Sequence, residues 1–142
     1  MTFSESVKTC LIRKYFFVIK GRASRSEFWF FMLFIALINI ATGALFSLLP
    51  DKIGMSLSLA VSLALLPANV GAAARRLHDR GLSAWWLWLP IAMLALRLAT
   101  GPGNQLGDLL ALSMTLLYLV ILCLPSLPGA NKYGPEPGSE VG

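Results

Sequence analysis

The chain is 142 residues long, 56% hydrophobic and only 13% charged, with a formal net charge of +5. Soluble domains carry about 25% charged residues, and a chain this short has too little interior to hide the apolar excess, so a water-soluble globule is excluded and lipid is the natural solvent. The basic residues crowd before Glu27 and around His78, which fits an anionic membrane surface; a nucleic-acid module is excluded because no stretch is long and polar enough to carry a basic face.

Residues 1–26 read as a cytoplasmic interfacial segment. Phe3, Val7, Leu11 and Val18 fall near one helical face, with Lys8, Arg13 and Lys20 off it, and Lys14 intrudes on that face with a stem long enough to snorkel. Two readings stand: a short helix in the headgroup layer, or a helix packed on the inner ends of the others. No cleavable signal peptide is expected, because the first apolar run begins near Phe28 and is too long for one.

Ser24 and Glu27 have the spacing of a capping box at a helix start. Glu27 is read either as that cap or as a salt-bridge partner for an arginine of the later cluster, and the two roles can coexist. Residues 28–49 form the first expected transmembrane helix, uncharged and roughly 33 Å long at the helical rise. Pro50, Asp51 and Lys52 make a polar turn, and residues 53–74 form the second, with Pro67 predicting a kink. Ala68, Gly71, Ala72 and Ala74 offer a small-residue face for close helix packing.

The densest charge cluster of the apolar region follows, Arg75-Arg76-Leu77-His78-Asp79-Arg80, with the chain's one histidine. Gly81 permits a sharp turn and Ser83 can cap the third helix, residues 84–100. Residues 101–105 form a loop, residues 109–127 the fourth helix, and the proline- and glycine-rich residues 128–142 an irregular cytoplasmic tail. The third helix is short and holds Arg97, which costs roughly 2.5–3.5 kcal/mol at a helix centre. Four crossings are still favoured, because polar loops flank it and the fourth run needs a way back. The expected fold class is therefore all-α, an integral membrane protein of one domain.

Four crossings place both termini on one side, with Lys8, Arg13, Lys14, Lys20, Arg22, Arg25, Arg75, Arg76, Arg80 and Lys132, against Lys52 alone on the other. That bias predicts cytoplasmic termini. It also sets Trp29, Trp85, Trp86 and Trp88 near the cytoplasmic interface, where amphipathic rings collect.

Three motifs then recur in order around the hydrophobic segments. They are Gly21-Arg22-Ala23-Ser24-Arg25-Ser26-Glu27-Phe28-Trp29, then Arg75-Arg76-Leu77-His78-Asp79-Arg80-Gly81-Leu82-Ser83-Ala84-Trp85-Trp86, and Asn131-Lys132-Tyr133-Gly134-Pro135. Together they resemble the domain of unknown function 805 family of small bacterial inner-membrane proteins, over nearly the whole chain. The resemblance implies a bacterial inner-membrane location and no agreed activity. Arg97 lies outside the pattern, so any role for it would be particular to this chain.

The expected topology gathers the motifs on one face. Arg22, Arg25, Arg75, Arg76 and Arg80 are candidates for binding anionic headgroups, phosphate or a membrane partner, since guanidinium forks clasp carboxylates and phosphates in two-pronged fashion. Glu27, His78, Asp79 and Tyr133 form a candidate orienting network. The alternatives are a purely structural lock between arginines and acids, a docking face for a cytoplasmic protein, and an active site. His78 and Asp79 are a weak acid/base signal, because sequence neighbours on a helix do not face each other. A metal site from Cys10, His78 and Cys123 follows no ligand spacing, and a disulfide framework is not expected.

Inside the membrane, Asn39, Ser62 and Arg97 are expected at similar depth, with Tyr118 shallower. They read either as a hydrogen-bonded layer, with Arg97 snorkelling to Asp108 or the far headgroups, or as a polar pathway. The leading expectation is a non-enzymatic protein, without metal or cofactor, binding anionic lipid and able to self-associate or meet a membrane partner. The alternative is a small-solute or ion transport component acting as an oligomer.

Overall fold

The computed structural model describes residues 1–11, 18–101 and 103–138. The expectations for Arg13 and Lys14, and for Pro102 and the end of the tail, lie outside these residues. Among the described residues all regular structure is helical, apart from an isolated bridge between Asn131 and Gly134. A short helix α1 (Phe3–Leu11) precedes α2 (Arg25–Phe46) and α3 (Asp51–Asp79); a 3-10 turn (Ala84–Leu87) leads into α4 (Trp88–Thr100), and α5 (Gln105–Cys123) follows.

Local chemistry shifts the element ends from the expected spans. α2 starts earlier because Ser24 caps it, its hydroxyl accepting the Glu27 N–H at 3.2 Å. It ends at Phe46, four residues before Pro50, which cannot continue a helix. α3 runs 29 residues, continuing past Pro67 and through the arginine cluster, because no helix breaker stands between Ala74 and Gly81. At about 43 Å it exceeds the roughly 30 Å hydrocarbon core, so residues 75–79 stand beyond the lipid when 53–74 cross it. The third segment opens as a 3-10 turn capped by Ser83. Pro90 then sits in the first turn of α4, where a missing N–H costs no intrahelical bond. α5 stops at Cys123, ahead of Pro125 and Pro128.

Three helices, α2, α3 and α5, are long and apolar enough to cross a membrane, with mean hydropathies of 2.1, 1.7 and 2.1. In each, only 11% of the apolar window is buried within the protein. Water would face nearly all of that surface, so the solvent for these helices is lipid. The 3-10 turn and α4 together make a shorter apolar segment, Ala84–Thr100.

The protein's own core is small and lies at one end. Phe28 and Phe31 of α2 pack into the small-residue face of α3 formed by Ala68, Ala72 and Ala73, joined by Leu77, Leu122 and Cys10. Bulky rings on one helix against alanines on the other let the backbones approach closely. α1 lies on this end, burying Ser6 and Cys10 against α2 and α3; the Ser6 hydroxyl donates to the Glu27 carbonyl at 2.5 Å. At the opposite end the α2–α3 turn is so tight that a Cβ on Gly54 would lie 2.3 Å from the Phe46 carbonyl oxygen.

Candidate functional site

The end of α3 is enclosed by the segment before α2, by α1 and by the tail, so that burial is continuous from Gly71 to Asp79. A helix terminus leaves its last carbonyls without intrahelical partners, and here the last three are served. Leu77 O accepts from the N–H groups of Arg80 and Leu82, both at 3.0 Å, and His78 O from Gly81 N–H at 2.9 Å and the Asn131 amide at 3.0 Å. Asp79 O accepts from Leu127 N–H at 3.3 Å. Gly81, with φ of 71°, takes the left-handed conformation that this turn requires.

The arginines radiate from this terminus. Asp79 is fully buried and holds Arg22 through Oδ1 at 2.9 Å and Arg76 through Oδ2. The remaining N–H groups of Arg22 donate to Leu127 O and Gly129 O, both at 2.5 Å. Arg76 donates from Nε to Leu122 O at 3.0 Å, and from its other nitrogens to Leu124 O, Ala23 O and Ser126 Oγ. Arg80 donates to Pro125 O. Five of these acceptors, four carbonyls and the Ser126 hydroxyl, belong to the stretch just past α5, where prolines end the helix. The forks therefore cap α5 and clasp the tail.

Arg75 points the other way. Its guanidinium pairs with Glu27 at 3.0 Å and donates to Gly71 O at 3.3 Å and to the Cys10 sulfur at 3.4 Å. Arg75 and Arg76 are 1% and 0% exposed, and the Arg22 side chain is 1% exposed. Arginines outnumber acids here, and the negative ends of α3 and α5, which both terminate at this site, offset the excess. Arg25 is outside the network and exposed, as are Lys8, Lys20 and Lys132.

His78 stacks on Tyr133, ring centroids 3.8 Å apart at 6°, and its Nδ1 lies 3.3 Å from Gly21 O, which sets the proton on that nitrogen. Asp79 is committed to arginines, so His78 and Asp79 do not form an acid/base pair. Burial pushes the His78 ring below its ordinary pKa, the Gly21 and Ile19 carbonyls pulling it back up and Lys132 adding to the depression. Burial also raises the Glu27 carboxyl, against the pull of Arg75, and raises the Cys10 thiol.

Glu27 both sits in the cap of α2 and pairs with Arg75, although its carboxylate reaches the arginine and not the backbone at the cap. Farther along the helices, the Ser62 hydroxyl donates to the Asn39 side-chain oxygen at 3.1 Å, joining α2 to α3. Arg97 is apart from that pair and bonds Asp108 across the α4–α5 hairpin. Tyr118 packs against the core near Leu122. Cys10 is buried and Cys123 exposed, and among the described residues no metal-binding cluster forms around them. Sequence reasoning did not single out Ser6, Cys10, Ser126 or Asn131 as members of the network. Asn131 alone carried a signal, at the head of the third motif.

A family model described as "Protein of unknown function (DUF805)" matches residues 16–135. The inner membrane protein YhaH of Escherichia coli (strain K12) is 29% identical over 125 residues, covering 85% of this chain and 88% of that protein. The inner membrane protein YhaI of the same strain is 30% identical over 121 residues, covering 82% and 83%. No solved structure matches.

Proposed function

This chain belongs to the DUF805 family, and from that membership we propose a non-enzymatic multi-pass inner-membrane protein that crosses the bilayer four times with both termini in the cytoplasm. Its inner face binds anionic lipid headgroups. Arg22, Arg75 and Arg76 serve that face from within, holding α1, α2, α3 and the tail as one platform. The exposed Lys8, Lys20, Arg25 and Lys132 around it make the headgroup contact. One observation carries this division of labour: the forks of the buried arginines are taken by protein acids and carbonyls, while the four outer cations stay at the surface.

Each basic group held at an anionic leaflet contributes on the order of 1 kcal/mol, screened by salt. Native mass spectrometry of the protein extracted in mild detergent should show phosphatidylglycerol retained over phosphatidylcholine. Replacing the four outer cations by glutamine should abolish the preference and leave the helical circular dichroism intact. An unchanged preference in that variant rejects the proposal.

A further inference from the structure

A cavity of about 880 Å³ lies between the α2–α3 pair and the α4–α5 hairpin, its walls including Trp29, Leu66, Asn69, His78, Trp88 and Tyr118. That volume falls within the roughly 300–1,000 Å³ of small-molecule sites. Leu66, Trp88 and Ile91 at its edge are exposed, so the cavity opens sideways, in the direction of the lipid.

Its polar groups are the telling part. Thr42, Ser56, Ser62, Ser113 and Thr115 elsewhere on the long helices each donate to a carbonyl one turn back. The Asn69 amide and the Tyr118 hydroxyl, both in the cavity wall, make no such bond to any described residue. Lipid chains offer such groups no acceptor. Asn69 lies six residues before Arg75 and Tyr118 five before Cys123, so both sit about 8–9 Å inside the end of the bundle by helical rise. At that end His78 lines the cavity under Tyr133, with Lys132 Nζ 4.9 Å from the Tyr133 ring centroid. From one end to the other the cavity thus offers the His78 ring, with Lys132 beyond Tyr133 and outside the lining, then two hydrogen-bond donors and apolar walls.

We infer that this cavity binds an ester-linked phospholipid, its headgroup toward Lys132, its ester carbonyls accepting from Asn69 and Tyr118, and an acyl chain along the tryptophan and leucine walls. The inference rests on the membrane reading but not on which cations meet the headgroup. The purified full chain in mild detergent is offered phosphatidylglycerol with ester-linked chains, or its ether-linked analogue with the same headgroup and chain length, and bound lipid is counted by native mass spectrometry. The ester lipid is expected to bind about 5-fold or more better, from two hydrogen bonds. Asn69→Leu with Tyr118→Phe removes the difference. Val70→Trp, at the exposed rim of the cavity, displaces both lipids. Equal binding of the two lipids by the parent chain, a preference that survives the double variant, or full retention in Val70→Trp overturns the assignment. Because the headgroup is the same in both lipids, failure here leaves the headgroup proposal standing, and an unchanged headgroup preference in the glutamine variant, which rejects that proposal, leaves this one standing.

Discussion

Asp79 holds one guanidinium on each carboxylate oxygen, in full enclosure. Removing one member of a buried ion pair costs about 3–5 kcal/mol, because the partner's charge is stranded. Asp79→Asn strands two, and is expected to lower the melting temperature in detergent and open the tail to trypsin; a variant that melts with the parent chain contradicts the clasp. Arg76→Lys should also destabilise, since one ammonium cannot reach acceptors spread from Leu122 to Ser126. His78 gives a pH dependence of definite sign. Its folded-state pKa is depressed, so its contribution is whole above the ordinary value of about 6.5 and is lost as pH falls from there through the folded value. Glu27 runs oppositely: its pKa is raised, so its contribution falls as pH rises from its ordinary value through the raised one. Thermal melts between pH 7 and 5 should therefore show a decline that His78→Asn flattens; an unaltered slope in that variant would remove His78 as the cause.

At the scale of elements, the helices were legible because long uncharged runs can do little else in lipid, and the small-residue face of α3 announced where Phe28 and Phe31 would pack. The reach of α3 through the arginine cluster was less legible. Charge density reads as a connecting segment, yet nothing between Ala74 and Asp79 breaks a helix, and enclosure by the tail makes such a turn stable. The pairing of arginines with Glu27 and Asp79 was legible as a structural lock; the remaining forks were not, because their acceptors are backbone carbonyls near prolines far downstream. The α2–α3 turn supplies a sharp comparison. Gly54→Ala sets a Cβ against the Phe46 backbone and should cost about 1–3 kcal/mol. Gly43→Ala meets nothing within 4 Å and should be neutral, or gain up to about 1 kcal/mol from helix propensity. Equal denaturation midpoints for the two variants would show that the turn is not tightly packed.

For the whole molecule, the expected arrangement is an even number of crossings, with Lys52 on the outer face and Lys132 on the inner one. In a background with Cys10 and Cys123 changed to serine, Lys52→Cys should react with a membrane-impermeant maleimide in intact spheroplasts, and Lys132→Cys only after lysis. The reverse pattern would invert the orientation, and labelling of both before lysis would mean an odd number of crossings. The clasp on the tail also bears on biosynthesis. Arg22 leaves the ribosome about a hundred residues ahead of the Leu127 and Gly129 carbonyls it finally binds, and Arg76 about fifty ahead of Leu124. Until those carbonyls are made, the two guanidinia can pair with Asp79 but have no tail to bind, so the clasp closes only after the stretch past α5 has emerged.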